Sequence, residues 1–297
     1  MKAVAVIPAR YASTRFPGKP LADETGKYLI QHVYEQVAQA RSIAEVIVAT
    51  DDDRIFKAVQ LFNGRVAMTR PDHPSGTDRV AEVAEGLDAD MIVNVQGDEP
   101  EIDPTQIDKL VALLAKNPEV PVGTLACPFP PDADPTDPNA VKVVLDIRGR
   151  ALFFSRSLIP YPRDAASKSL SRDCDTGVSP VTKHRRDAGA TRMSDATGMS
   201  DAAGGLERGS KPTAAGHSIV PDDPSRWLLH LGIYAYRRAF LLELAKLPPT
   251  PLEQREKLEQ LRILEHGHTI AVAVVDRAAI GIDTPEDYAA FVQRQTG

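Results

Sequence analysis

The stretch AVAVIPARYASTRFPGKPL, residues 3–21, joins a short apolar run to a loop rich in cations and hydroxyls. The apolar run at 3–8 is continuous rather than alternating, which favours a strand buried on both faces. Pro17 and Gly18 interrupt the chain beyond it and keep it from turning directly into a helix. The loop carries three cationic side chains, which are Arg10, Arg15 and Lys19.

The same kind of pattern continues through the first half of the chain. Apolar runs at 45–50 and 91–96 predict two more buried strands. Residues 29–40 and 54–62 place apolar side chains at helical spacing and predict helices between the strands. Continuous apolar strands separated by helices indicate a mostly parallel sheet covered on both faces, which is a doubly wound, Rossmann-like α/β fold.

The second half adds fewer but distinct elements. We expect a small antiparallel subregion there, because two apolar runs flank a turn that contains a glycine. The predicted elements are a strand pair at 140–146 and 151–155, a strand at 228–237, a helix at 251–267 that ends at a glycine, a strand at 269–275 and a helix at 284–295.

Residues 165–224 break the pattern. They contain no aromatic residue and repeat the tetrapeptide MSDA at 193–196 and 199–202. Such a composition buries too little apolar area to offset an ordering entropy of about 1–2 kcal/mol per residue. We therefore predict a single domain over 1–297, interrupted by a disordered insertion. The basic run KHRRD within the insertion is either a solvated charge run or a partner-binding tail.

The overall composition excludes several classes of protein. A net charge of −6 argues against nucleic-acid binding, which needs a clustered basic surface. No run approaches the roughly 20 apolar residues of a membrane span, and the short N-terminal run lacks the features of a secretion signal. The chain has two cysteines, Cys127 and Cys174, which is typical of a reducing compartment. We expect a cytoplasmic protein without membrane or nucleic-acid partners.

In doubly wound sheets, ligands bind beyond the carboxyl ends of the strands. The loop after the first strand lies there, and its cations, with the hydroxyls of Ser13 and Thr14, suit a triphosphate. The loop matches neither the GxxxxGK[ST] phosphate loop nor the GxGxxG dinucleotide pattern, which disfavours common ATP hydrolysis and NAD binding. The alternative is a surface loop that carries arginines by chance.

Two carboxylates also follow predicted strands. Asp98 comes directly after the run at 91–96, and Asp283 lies among turn residues after the run at 269–275. Each is a candidate metal ligand, and each is also a candidate helix N-cap. Thr284 offers an alternative cap for the last helix.

Seven motifs in a fixed order resemble the 3-deoxy-manno-octulosonate (KDO) cytidylyltransferase family. The likeness covers nearly the whole chain except 165–224, where the family usually has a shorter connection. The motifs are PARYASTRFPGKPL at 8–21, RPDHPSGTDR at 70–79, VNVQGDEP at 93–100, NAVKVVLD at 139–146, HLGIYAYR at 230–237, LEQLR at 258–262 and GIDTPED at 281–287.

The resemblance implies transfer of CMP from CTP to KDO, with release of pyrophosphate, for lipopolysaccharide biosynthesis. It implies that Asp98 and Asp283 hold Mg²⁺, and that Arg10, Arg15 and Lys19 act with Asp98 in catalysis. It also implies a homodimer, for which the apolar strand at 228–237 is a candidate contact. The implied substrate-binding residues are Arg10, Ser13, Arg15 and Lys19 for the triphosphate, Pro71, Ser75, Gly76 and Thr77 for the nucleoside, and Gln96, Arg156, His230, Glu259 and Gln260 for the sugar.

Simpler interpretations stay open for several of these residues. His230 also fits a buried core histidine with its hydrogen bonds made. Glu259 and Gln260 also fit the solvent-exposed face of a helix. The segment 70–79 also fits an ordinary surface loop. Two rival functions remain: a cytidylyltransferase for another acidic sugar, such as 8-amino-KDO or a sialic acid, and a nucleotide-binding regulatory protein without turnover.

Overall fold

The computed structural model describes residues 1–12, 15–131, 133–161 and 227–296. The predicted insertion at 165–224 lies outside these residues, and so does Ser13.

The described residues form one mixed sheet of nine strands. All the strands predicted from the apolar runs are present, with β4 ending two residues earlier than expected. The strands are β1 Ala3–Ala9, β2 Ile43–Thr50, β3 Arg65–Met68, β4 Met91–Asn94, β5 Val122–Pro128, β6 Lys142–Leu145, β7 Ala151–Ser155, β8 Leu228–Arg237 and β9 Ile270–Val274.

Helices connect and cover the strands. A 3₁₀ turn at Lys19–Leu21 follows the first loop. The α-helices within the described ranges are α1 Leu29–Val37, α2 Asp53–Leu61, α3 Gly76–Glu85, α4 Pro104–Lys116, α5 Arg238–Leu244, α6 Pro251–Glu256, α7 Gln260–Glu265 and α8 Pro285–Thr296.

The order of the strands explains where a ligand site can form. The sheet runs β3-β2-β1-β4-β8-β5-β9, and β1 is parallel to both β2 and β4. The chain moves to one side of β1 for β2 and β3 and to the other side for β4. This reversal opens a crevice beyond the carboxyl ends of β1 and β4, where doubly wound proteins bind ligands.

The central strands are apolar on both faces because both faces are covered. Along β1, Val6 packs into one hydrophobic cluster and Ile7 into the other, and both are completely buried. A half-exposed strand would show alternation, so the continuous apolar runs are a direct consequence of this layering. The predicted doubly wound fold is confirmed, with β8 antiparallel to β4 and β5.

The antiparallel strand pair is also present. Strands β6 and β7 form a hairpin, in which Gly149 has a φ of 75° and so occupies the left-handed region that favours glycine. Strand β8 pairs with β4, β5 and β6. It is therefore an internal strand, and the subunit contact expected there stays a prediction.

The helix predicted at 251–267 is wrong as a single element. The chain forms α6 and α7, and Lys257 between them has a φ of 55°. A left-handed residue ends the first helix and turns the chain so that Leu258 is buried. The glycine stop is correct, since Gly267 has a φ of 80° directly after the second helix.

Several elements have no counterpart in the sequence-based prediction. They are β3, β5, α3 and α5. The segment 70–79, expected to be a loop, is a loop only to Ser75, and Gly76 begins α3. Among the described residues, none of the helices has the length and apolar character needed to cross a membrane.

Candidate active site

The loop after β1 folds back on itself. Gly18 has a φ of 72°, and its backbone N–H donates to the Tyr11 carbonyl at 3.0 Å. A side chain at this position would meet the Tyr11 ring at 3.2 Å, so the close approach and the left-handed backbone both favour glycine. The closure returns Lys19 to the edge of the sheet.

Four charged residues meet at that edge, and we call this group the ionic edge: Arg15, Lys19, Asp98 and Asp283. The Lys19 Nζ lies 2.8 Å from Asp98 Oδ2 and 3.9 Å from Asp283 Oδ1. Arg15 contacts Asp283 Oδ1 at 2.9 Å, and Lys19 also donates to the Ile282 carbonyl at 2.7 Å. Two carboxylates that are distant in the sequence therefore converge beside the basic loop.

Neither carboxylate is consumed as a helix cap. The N-cap of α4 is Asp103, whose side chain accepts from the Thr105 N–H at 2.8 Å. At α8, the Thr284 hydroxyl accepts from the Asp287 N–H at 3.2 Å, and the Asp287 carboxylate accepts from the Thr284 N–H at 2.9 Å. This reciprocal cap leaves the Asp283 side chain free to face the ionic edge.

The backbone before Asp98 is held close to β1. A side chain at Gly97 would lie 2.9 Å from the Pro8 carbonyl oxygen, a distance that real side chains do not reach. The Ile282 N–H donates to the Asp98 carbonyl at 2.9 Å and fixes the segment that carries Asp283. These two contacts position both carboxylates.

Glu99 is largely protonated near neutral pH and adds little charge to the edge. Burial, together with the neighbouring Asp98 carboxylate, raises the pKa of Glu99 to about 8. The negative charge at this edge therefore comes from Asp98 and Asp283.

Arg10 lies on the same loop but contacts the segment before α3 instead of the carboxylates. Its guanidinium donates to the His73 carbonyl at 2.7 Å and to the Ser75 carbonyl at 3.1 Å. It thereby joins the first loop to the segment before α3. Arg10 is exposed and is not part of the ionic edge.

The segment 70–79 presents a helix N-terminus to the crevice. Ser75 is the N-cap of α3, and its hydroxyl accepts from the Asp78 N–H at 3.2 Å. Gly76 and Thr77 form the first turn, where backbone N–H groups lack partners within the helix. Pro71 is exposed on the loop before it.

A cavity of about 310 Å³ is lined by Gln96, which precedes Asp98 by two residues, and we call it the inner cavity. Gln96 donates from its side-chain amide to the Gly232 carbonyl at 2.8 Å. The residues that line the cavity are Pro8, Gly76, Thr77, Asn94, Gln96, Val141, His230, Gly232, Tyr234, Tyr236, Leu244, Leu258, Glu259, Gln260 and Ile263.

His230 faces this cavity as a neutral ring. Its Nε2 lies 3.1 Å from the Thr124 hydroxyl, and its ring packs edge-on against Phe154 with centroids 4.9 Å apart. Burial lowers the pKa of His230 to about 3, so the imidazole carries no charge near neutral pH. It is both packed against the core and open to the cavity.

Glu259 and Gln260 reach the cavity because of the break between α6 and α7. Burial raises the pKa of Glu259, although a hydrogen bond from the Thr77 hydroxyl opposes the shift. The Ser75 hydroxyl also lies 3.3 Å from Glu259 Oε1. Gln260 is buried, so neither residue belongs to a solvated helix face.

Arg156 lies elsewhere. Its guanidinium donates to the Glu256 carbonyl at 2.7 Å and to the Pro138 carbonyl at 2.8 Å, and it does not line the inner cavity. It joins the end of α6 to the loop before β6. Its assignment to the sugar stays a prediction.

Three cavity residues with polar side chains were missing from the sequence-based set of candidates: Asn94, Tyr234 and Tyr236. The two tyrosine rings stack with centroids 5.7 Å apart and form one wall. Their alternation along β8 was a usable signal, because residues two apart in a strand share a face. Asn94 gave a weaker signal, as a polar residue inside an apolar run.

The ionic edge has donors that fit Mg²⁺. The ion prefers oxygen ligands and usually takes one or two carboxylates, with phosphates and water completing its shell. Asp98 and Asp283 supply two carboxylates near a common point, the Lys19 Nζ. Within the described ranges there is no cluster of three or more His, Cys, Asp or Glu side chains placed to hold an ion, so phosphate oxygens would have to contribute.

Comparisons with known proteins identify the family of the chain. The sequence profile of the Cytidylyltransferase family matches residues 4–270. The 3-deoxy-manno-octulosonate cytidylyltransferase of Syntrophotalea carbinolica is 48% identical over 287 residues, which is 97% of this chain and 96% of the relative. The protein of the same name from Geobacter sulfurreducens is 47% identical, with the same coverage.

Comparisons with solved structures identify the same family and fold. A CMP:2-keto-3-deoxy-manno-octonic acid synthetase in complex with CTP superposes with a TM-score of 0.76 at 39% identity and covers 99% of this chain and 98% of the other. A cytidylyltransferase from Leptospira borgpetersenii superposes with a TM-score of 0.55 at 16% identity, over 98% of this chain and 85% of the other, which shows a shared fold only.

Proposed function

This chain belongs to the 3-deoxy-manno-octulosonate cytidylyltransferase family, and we propose that it transfers CMP from CTP to KDO and releases pyrophosphate. The observation that carries the proposal is the ionic edge, where Asp98 and Asp283 meet Lys19 and Arg15 beyond the end of β1. The inner cavity beside it provides room for an acceptor.

The cations of the first loop would bind the triphosphate. Arg15 and Lys19 each pair with a carboxylate in the free protein. The Arg15–Asp283 pair is exposed and contributes at most about 1 kcal/mol, whereas the Lys19–Asp98 pair is partly buried. Phosphate oxygens can therefore replace Asp283 as the partner of Arg15 at little cost, and they would offer Lys19 a second charged partner in place of Asp98. The Asp98 and Asp283 oxygens released in this way would hold Mg²⁺.

The proposed reaction needs no covalent intermediate on the protein. The anomeric 2-hydroxyl of KDO attacks the α-phosphorus in line, the bond to the bridging oxygen breaks, and pyrophosphate leaves as the hydroxyl proton passes to water. When bound, Mg²⁺ would neutralise charge at the transferring and leaving phosphates. The residues of the chain orient the two substrates and stabilise charge, which is sufficient for phosphoryl-type transfer.

The nucleoside is expected at the start of α3. Arg10 and Ser75 fix this segment, and the free N–H groups around Gly76 and Thr77 offer hydrogen-bond donors beside Pro8. A pyrimidine edge is read by such groups. We assign Pro71, on the preceding loop, to the same region.

Pyrophosphate release tests the proposal. The protein is incubated with CTP, Mg²⁺ and KDO, and release should exceed that of a reaction without sugar. Turnover with a sialic acid or 8-amino-KDO in place of KDO would instead support a different acidic sugar. CTP binding without turnover of any of these sugars would contradict the proposed function.

We also propose that the reaction takes place in the cytoplasm, feeds lipopolysaccharide biosynthesis and is carried out by a homodimer. Cys127 is a free, buried thiol, as expected in a reducing compartment. The β6-β7 hairpin exposes Ile147 and Leu152, and these apolar side chains are better candidates for a subunit contact than β8. Sedimentation equilibrium of the wild type and of a Leu152→Asp variant tests the dimer.

A further inference from the structure

Asn94 is a buried polar residue whose side-chain oxygen has no hydrogen-bond partner among the described residues. Only 3% of its surface is exposed, and its Oδ1 makes no hydrogen bond with any described residue. Leaving such a group unpaired costs about 1–3 kcal/mol, and native proteins rarely keep one without a reason. The side chain lines the inner cavity.

The surroundings of Asn94 do not explain an asparagine. It ends β4 and lies opposite Val6 of β1 and Tyr234 of β8. Val6 is fully buried, and Ile92, two residues earlier on the same face of β4, is also fully buried. An apolar side chain would satisfy this position in the free protein, so the amide is better explained by a ligand.

The lining of the cavity defines the class of that ligand. Of the described residues that line it, none is lysine or arginine, and Glu259 contributes a carboxyl group. An anionic group would find no cation there and would be disfavoured. A hydroxyl both donates and accepts a hydrogen bond, and so does the asparagine amide.

We propose that Asn94 is a specificity-determining residue, whose amide hydrogen-bonds a hydroxyl of the neutral, polyhydroxylated part of the acceptor sugar. The inference rests on the proposed function and adds the orientation of the bound sugar to it. The hydroxyl-bearing part of the sugar enters the inner cavity, and its carboxylate points towards the cations of the first loop. The uncompensated amide is tolerated in the free protein because the substrate satisfies it.

The variant Asn94→Leu tests this, because leucine has a similar shape and no polar atoms. The KM for KDO should rise about 3- to 10-fold, the effect of one neutral hydrogen bond, while the KM for CTP stays within 2-fold. The unfolding temperature should stay the same or rise, since an unpaired buried group is removed. A purely structural asparagine would behave differently, because its loss would lower the unfolding temperature.

Asn117→Leu is the matched control. The Asn117 amide donates to the Leu113 carbonyl at 2.8 Å at the end of α4, so its partner is present in the free protein. This substitution should lower the unfolding temperature and leave the KM for KDO unchanged. An unchanged KM for KDO in Asn94→Leu, or an equal rise in both KM values, would overturn the proposal.

A second variant and a binding measurement guard against misfolding of the first. Asn94→Ala is compared with the wild type on KDO analogues that each lack one hydroxyl. For the analogue that lacks the hydroxyl bound by Asn94, the KM should exceed that for KDO in the wild type and equal it in the variant. Calorimetric titration with KDO alone needs no turnover, so it separates this inference from the proposed function. Binding weakened by Asn94→Ala supports the inference even in a protein that releases no pyrophosphate. Equal binding by both proteins, or no binding to the wild type, overturns it.

Discussion

The ionic edge and the inner cavity differ in how their polar groups are paired. At the edge each charge has a partner, as in the contact of 2.8 Å between Lys19 and Asp98. In the cavity the groups are neutral or unpaired, as with the His230 ring and the Asn94 amide. A paired charge can exchange one charged partner for another, whereas an unpaired buried group destabilises the free protein until a ligand binds.

This difference predicts two kinds of variant. Changes at the ionic edge should mainly lower the rate with small effects on folding. Changes in the cavity should alter stability and sugar binding together. The substitutions that follow separate the two regions, beginning with the largest expected effect.

Asp98→Asn should have the largest effect. It removes a charge from the ionic edge but keeps the size of the side chain, and we expect kcat/KM to fall about 1000-fold, the scale of losing a key electrostatic group. Pyrophosphate release measures the rate, and thermal unfolding checks the fold. Asp88→Asn is the control, because the Asp88 side chain is fully exposed and lies 4.0 Å from Lys2. More than a tenth of wild-type activity in Asp98→Asn would remove this residue from the proposed mechanism.

Lys19→Met should lower kcat/KM about 100-fold. The side chain of Lys19 is only 13% exposed and contacts both carboxylates of the edge, so its loss removes a phosphate ligand and leaves Asp98 without its partner. The KM for CTP should rise more than the KM for KDO. Lys27→Met serves as the control, since Lys27 pairs with Glu35 at the surface. An effect confined to the KM for KDO would place Lys19 at the sugar instead.

His230→Gln should change how stability depends on pH. The pKa of His230 is lowered to about 3 in the folded protein, below the ordinary value of 6.5, so the unfolded chain takes up a proton that the folded chain refuses. The free energy of unfolding is therefore highest above pH 6.5, where His230 is neutral in both states, and it decreases as the pH falls from 6.5 towards 3. With allowance for partial exposure, we expect a loss of about 1 kcal/mol between pH 7 and pH 5.

Urea denaturation at a series of pH values measures this loss. The Gln variant should lack that part of the pH dependence, while His266→Gln, at an exposed position, should keep it. Identical pH profiles for the wild type and His230→Gln would show that His230 contributes nothing to the acid sensitivity.

Arg54→Met should have the smallest effect. The Arg54 guanidinium lies 3.3 Å from the centre of the Tyr11 ring, and that ring supports the turn at Gly18. An exposed cation–π contact contributes about 0.5–1 kcal/mol, so the KM for CTP should rise about 2- to 5-fold. Arg65→Met, at an exposed pair with Glu45, is the control. A rise in the KM for KDO alone would show that the loop does not act on the nucleotide.

Local patterns were sufficient for much of the fold. The continuous apolar runs correctly predicted β1, β2 and β4, because a strand covered on both faces must be apolar throughout. Gly149 and Gly267 also marked a turn and a helix end correctly. The prediction of one helix at 251–267 was wrong because the spacing of its apolar residues does not indicate that Lys257 adopts a left-handed backbone.

The charged residues of the candidate site could also be found from the sequence, but their roles could not. The cations of the first loop and the carboxylates Asp98 and Asp283 could be picked out from the ends of apolar runs. Whether each carboxylate capped a helix or faced a ligand stayed open, since both roles use the same residue type in the same place. The neighbouring caps Asp103 and Thr284 show that neither carboxylate caps a helix, and the ligand role of both stays a proposal.

The sequence by itself determined the class of fold and the family, because periodicity and ordered motifs are properties of a linear chain. Only the tertiary structure decided which side chains meet. Strand order brings the loop after β1 beside the loop after β4, and the broken helix brings Glu259 to the cavity. Burial then decides which groups are charged and which lack partners, as for His230 and Asn94, because the surroundings of a side chain come from segments that are distant in the sequence.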